Sequence, residues 1–350
     1  MAENTLILVL FIVLILGILM LDLLVIGRKS HEVSLKEASL WTGIWISLAM
    51  GFALFLRLFG EHIHGIKTPE ELEQVLTKFY PYLTMEADGF ANNLELFRKS
   101  LATNYLTGYL IEESLSVDNL FVMMAILSAF SVKKTAYKKV LFWGILGAIV
   151  MRFVFIFVGA ALIIKFEWLL YLFGAYLLYA GGKMFVQRNK EVRIEPQNHP
   201  LVRFLSRRFK VFPRYVGEQF FIRKNGALYL TPLFIVVMLI EGSDLVFALD
   251  SIPAVFAITR DPYIVFFSNV FAILGLRSLF FLLVHVVDRF YLLKVGVSFL
   301  LVFVGVKLLA HDWMHHLGYK PVYSLYVILG ILTLSVTLSM LFPKKVTIGV

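Results

Sequence analysis

Residues 238–256, MLIEGSDLVFALDSIPAVF, set three carboxylates, Glu241, Asp244 and Asp250, in a run that is otherwise almost purely apolar. The apolar character reaches back through residues 229–240 and forward to Thr259, a stretch of roughly 30 residues where about 20 suffice to cross a bilayer. Each acid at bilayer depth costs at least about 2.5 kcal/mol on insertion scales, so an intramembrane carboxylate faces a partner or a wet cavity. Three on one span mark a functional site.

The rest of the composition fits a membrane chain. Of 350 residues 59% are hydrophobic and 16% charged, against about 25% charged in a soluble domain, so the apolar excess has to face lipid. The net charge of +9 raises a nucleic-acid reading. The Lys and Arg, however, sit in short blocks between apolar runs, as topology-setting loops do, and no nucleic-acid partner is expected. With no cysteine, disulfides, zinc–thiolate sites and thiol nucleophiles are excluded.

Apolar runs over 5–26, 40–60, 101–130, 140–164, 168–185, the opening stretch, 263–285, 290–310 and 322–342 predict an all-α polytopic membrane protein with about nine transmembrane helices. One membrane domain spans 1–350: two peripheral helices in 5–60, an acidic extracytoplasmic segment over 61–100, a first repeat over 101–185, a basic cytoplasmic connector over 186–226, a second repeat over 227–310 and a last helix at 322–342. Within the acidic segment residues 69–79 predict a short amphipathic helix, and His62 and His64 are read as part of a solvated loop. His311 and His315 have the i, i+4 spacing of a metal pair but fall at an outer membrane edge, as an interfacial turn. Loops rich in Lys and Arg alternate with loops that are not. The N-terminus is therefore placed outside and the C-terminus in the cytoplasm of a bacterial inner (plasma) membrane.

The chain also repeats itself. Glu112 and Asp118 are six apart with Asn119 following, and Asp244 and Asp250 are six apart with Ser251 following. GILGAIVMR over 144–152 parallels AILGLR over 272–277, pairing Arg152 with Arg277, and LLYAGGKMF over 177–185 parallels LVFVGVKLL over 301–309, pairing Lys183 with Lys307. Each copy holds three spans, an odd number, so the second is inverted: a 3+3 inverted repeat, which places substrate at the midplane.

Residues six apart on an ideal helix differ by about 120°, so Asp244 and Asp250 cannot both face one ion from a regular helix. Pro253 is expected to break the helix and swing them together, since it removes the bond to the Leu249 carbonyl. Glu241 and Asp244, at i and i+3, share a face. Glu113 is about 140° from Asp118 on an ideal helix, which leaves its membership open. Oxygen donors from these acids, Asn119 and Ser251 suit Mg²⁺, Ca²⁺ or Mn²⁺ rather than copper or zinc. Arg152 and Arg277 stand either in the ion path or as neutralising partners. Lys183 and Lys307 are read as snorkelling, and Met123, Met124 and Met238 as core or lipid-facing.

The segments EESLSVDNLFV (112–122), RKNGALYLTPLF (223–234) and DLVFALDSIPAVFAITRDPYIVFFSNVFAILGLRSLFFLL (244–283) resemble the TerC family of bacterial membrane proteins, its Alx-like branch most closely. The likeness covers roughly residues 100–312. It implies paired three-helix repeats of the LysE transporter type and export of manganese, with Glu112, Asp118, Glu241, Asp244 and Asp250 as the functional acids and Asn119, Ser251 and Asn269 in matching motifs. Gly242 and Glu113 depart from the pattern and put the metal preference in question. The expected protein is a proton-coupled transporter of divalent cations, with Mn²⁺ as cargo and no resident cofactor, and not an enzyme. The EGSD at 241–244 only brushes against the GxGD of intramembrane aspartyl proteases. The alternative is a non-transporting membrane factor in protein assembly or in tellurite or alkaline stress resistance. Oligomeric state stays open.

Overall fold

The computed structural model describes residues 33–81, 83, 89–166, 168–187, 199–224, 226–286, 292–310 and 321–342, with Val13, Gly17 and Trp313 besides. The span expected over 5–26, Val13 and Gly17 apart, and the pair His311 and His315 lie outside the described residues.

Helix α1 (Leu35–Phe59) starts where Ser34 Oγ accepts the Glu37 amide and runs into a 3-10 turn, Gly60–Ile63. Helix α2 (Pro69–Phe79) is the expected amphipathic piece. Thr68 and Glu71 form a reciprocal capping box at its start, and Leu72, Leu76 and Phe79 are its buried stripe. Helix α3 (Phe90–Ala129) is 40 residues long, about 60 Å, and begins within the segment read as acidic loop. Helices α4 (Tyr137–Lys165) and α5 (Leu169–Gln187) follow.

The basic connector is not plain loop. It holds helix α6 (Pro200–Arg208) and an antiparallel hairpin, β1 (Phe221–Lys224) against β2 (Ala227–Leu230), with Phe221 opposite Leu230. The all-α reading thus needs one small correction. Tyr229 and Leu230 are strand rather than helical lead-in, and α7 (Pro232–Phe256) starts only after extended Thr231, with Pro232 in the first turn, where its missing N–H costs nothing. Helices α8 (Pro262–Val286), α9 (Leu293–Leu309) and α10 (Pro321–Leu341) complete the bundle.

Six of these helical segments are long and apolar enough to cross a membrane among the described residues. They include α1, α4, α5, α7, α8 and α10. Acids interrupt α3, and α9 is shorter. Faces divide as a lipid-embedded bundle requires: on α4, Val150, Val154 and Val158 are exposed while Ile149, Arg152 and Ile156 are buried. Helix α8 is the central post, 89% buried in its apolar window, and packs on α1, α3 and α4. Helices α5 and α9 meet backbone to backbone. A Cβ on Gly305 would stand 2.9 Å from the Gly174 carbonyl oxygen, so glycine is what lets the two axes approach.

Two apolar clusters fill the interior. On α3 one ends at Leu115 and the other begins at Val117; on α7 one ends at Ile240 and the other resumes at Ala248. Between them, on both helices, lies the polar layer.

Candidate functional site

Glu112, Ser116 and Asn119 stand at i, i+4 and i+7 on α3, one stripe of a 3.6-residue helix. Helix α7 answers with Asp244 and Ser251, again seven apart. Helix α4 contributes Arg152, which is 2% exposed, and α8 contributes fully buried Asn269.

Arg152 ties the four helices together. Its Nη2 donates to Asp244 Oδ1 at 3.0 Å and its Nε to Asp244 Oδ2 at 3.4 Å, a side-on fork. Its Nη1 donates to Asn269 Oδ1 at 2.6 Å and also to Glu112 Oε1 in a buried ion pair. Asn119 Nδ2 donates to the same Asp244 Oδ1 at 2.8 Å. Two carboxylates from separate stretches of sequence therefore converge on one guanidinium, which a low-dielectric layer requires of buried acids.

Beside this knot lies a cavity of roughly 10 Å³, about the room of one water molecule, lined by Glu112, Ser116, Asn119, Arg152, Asp250 and Ser251 among others. Four oxygens of those residues are buried with no hydrogen-bond partner: Glu112 Oε2, Ser116 Oγ, Asn119 Oδ1 and Ser251 Oγ. Buried polar atoms are nearly always satisfied, so four orphans around one void are a demand for a guest with positive charge or donors.

The remaining expected residues fall around this centre. Asp118 lies within α3, but its side chain is outside the described residues. Asp250 lines the cavity while its Oδ1 accepts the Tyr176 hydroxyl of α5 at 2.6 Å. Glu241 is partly buried against α4, where Gly147 leaves room for its carboxylate; a Cβ there would collide with it. Glu113 diverges from Glu112 toward Gly275 on α8, and its Oε2 is also buried without a partner. Arg277 is partly buried on α8, about two turns beyond Asn269. Lys183 stands over the Tyr179 ring at 5.9 Å. Met123 is packed in the core.

Pro253 does not do what its sequence position suggests. Helix α7 continues through it to Phe256, and Ala257 N closes on the Pro253 carbonyl. The bond to the Leu249 carbonyl is lost, but the backbone stays helical on both sides of the proline. Asp244 and Asp250 therefore keep their angular separation: one turns to Arg152, the other to Tyr176. Among the described residues no three Asp, Glu or His side chains form a ready metal cluster; the donors around the cavity are mixed oxygens instead.

Three participants escaped the sequence. Met184 and Phe247 line the cavity and Tyr176 holds Asp250. Only the GGKMF repeat unit hinted at Met184. His64 corrects a further expectation: it is buried, not solvated, and its Nε2 lies 2.7 Å from Asp261 Oδ2, which also accepts the Tyr80 hydroxyl at 2.7 Å. His62 is exposed as expected.

The profile of the "Integral membrane protein TerC family" matches residues 97–347, the part of the chain that holds this whole arrangement. Over 331 residues the chain is 42% identical to the membrane protein STKORF319 of Myxococcus xanthus, covering 95% of this chain and 91% of that one. It is 42% identical to proteins of Salmonella typhi and Escherichia coli K12 that carry the provisional name membrane-bound redox modulator Alx, over 94% and 93% of this chain and 92% and 91% of theirs. No solved structure matches. With an oxygen-lined polar layer inside an apolar bundle, a family profile across most of its length and relatives alike nearly end to end, the chain belongs to the TerC family of integral membrane proteins.

Proposed function

We propose that this protein is a secondary transporter that exports a hard divalent cation, Mn²⁺ first, in exchange for protons. The observation that carries the reading is the set of four partnerless buried oxygens around one cavity, drawn from α3 and α7 and completed by Asp250. The partnerless atoms are carboxylate, amide and hydroxyl oxygens, which suit Mn²⁺, Mg²⁺ or Ca²⁺. Met184 also lines the cavity, and a thioether contact there would suit Mn²⁺ better than Mg²⁺ or Ca²⁺.

The packing supports an inverted repeat of three helices plus three. Exchange α3, α4, α5 with α7, α8, α9 and the cross-contacts survive: α3 with α8 becomes α7 with α4, while α3 with α7, α4 with α8 and α5 with α9 map onto themselves. Substrate then sits where the halves meet, at mid-depth. We place the 61–100 segment outside and the basic 186–226 connector in the cytoplasm of a bacterial inner membrane, with nine spans once residues 5–26 are included.

The relatives' name speaks of redox modulation. A chain without cysteine contributes no thiol–disulfide step, so we read any redox effect as a consequence of moving a redox-active cation such as manganese. No catalytic role is proposed. The test is Mn²⁺ flux into liposomes that hold only this protein, with and without a pH gradient. Accumulation that follows the gradient supports the reading; flux no greater than in protein-free liposomes sinks it.

A further inference from the structure

We infer that Arg152 is the transporter's resident counter-cation: it competes with the cargo for Glu112 and Asp244, and it neutralises those acids while the unloaded carrier returns. This rests on the transport reading above.

The hydrogen-bond inventory leads there. Arg152 takes Glu112 Oε1 and both oxygens of Asp244, leaving only Glu112 Oε2 from that pair turned to the cavity. A hard divalent cation gathers about six oxygens. The cavity offers four partnerless ones and one from Asp250, five in all, and the second oxygen of Glu112, which would complete the shell on a residue already lining it, is held by Arg152. Cation and guanidinium cannot share that oxygen. Because a guanidinium stays charged at every accessible pH, Arg152 cannot step aside by losing a proton; it has to move. Asn269 Oδ1, 2.6 Å from Nη1, fixes where it docks.

The same geometry gives the return step its character. Without cargo, Glu112 and Asp244 would be two buried negative charges on helices that must slide past one another, an expensive arrangement. Arg152 on α4 supplies the compensation for these two from within the chain, and the exchanged protons ride on the acids it does not touch, Asp250 and Glu241. The loaded carrier does not need it, because the cargo supplies the charge.

These roles separate experimentally. In Arg152→Gln, Mn²⁺ binding to the purified protein, read from the free Mn²⁺ electron paramagnetic resonance signal, is expected to tighten at least tenfold. Equilibrium exchange of ⁵⁴Mn²⁺ against Mn²⁺ in proteoliposomes persists, while net flux falls at least tenfold. Arg152→Lys, which keeps the charge but not the fork, is expected to fall between. Should Arg152→Gln fail to run as a single species on size exclusion, Asn269→Ala loosens the dock and is expected to tighten binding several-fold. Binding unchanged or weakened in the folded variants, or exchange and net flux lost together, overturns the inference. Wild-type protein that neither binds nor moves Mn²⁺ would instead fail the transport reading itself.

Discussion

The hydroxyl of Tyr176 donates to Asp250 Oδ1 at 2.6 Å, joining α5 to α7 at the edge of the cavity. Asp250 therefore has two faces, one structural and one toward the cavity. Asp250→Asn keeps an acceptor for Tyr176 and removes the charge. The expected result is normal membrane levels and a thermal midpoint close to wild type, with Mn²⁺ flux lost. Cells relieved of manganese toxicity as well by Asp250→Asn as by wild type would show that this carboxylate is not a cargo ligand.

Ser251→Ala separates function from stability in the opposite sense to most core substitutions. Its hydroxyl is buried and satisfies nothing, so removing it is expected to leave stability unchanged or slightly raised. Mn²⁺ binding is expected to weaken by several-fold, because one oxygen of the cavity is gone. Titration of Mn²⁺ and thermal unfolding on the same sample decide it.

Two glycines make a contrasting pair. A Cβ on Gly147 meets the end of the Glu241 side chain, which can swing away, so Gly147→Ala is expected to cost about 1 kcal/mol, the low end for overpacking, while displacing the acid. Its flux defect is expected to match that of Glu241→Gln. A Cβ on Gly305 meets backbone of α5, at Gly174 O and Leu178 N, which cannot swing. Gly305→Val is expected to destabilise by about 1–3 kcal/mol or more and lower the midpoint of unfolding in detergent.

Asp261→Leu leaves His64 and the Tyr80 hydroxyl buried without their acceptor. The expected loss is about 1–3 kcal/mol, read by thermal unfolding, with Mn²⁺ binding at the distant cavity intact. A neutral result would mean that water replaces the carboxylate without cost.

Much of this was legible from hydropathy and spacing. The helices α1, α4, α5, α7, α8 and α10 start and stop within a few residues of the apolar runs, because a bilayer demands length and composition together. The acids of α3 and α7 stood out for the same reason. What spacing could not give was direction. Pro253 removes one helix bond, yet α7 stays continuous through it, so Asp244 and Asp250 are not swung together. Arg152 was recognisable as a charge, yet its choice of Glu112 and Asp244 depends on how four helices cross. The burial of His64 leaves no local signal, because its partner Asp261 is 197 residues away.

That last separation bears on how the protein is made. When His64 leaves the ribosome, Asp261 has still to be synthesised, along with every helix from α2 to α7. The imidazole must wait in an aqueous setting until the start of α8 arrives, and only then can water be shed from both groups. The clasp is thus a late event in biogenesis, and a chain truncated before residue 261 would carry an unfinished surface at that end, open to quality-control proteases.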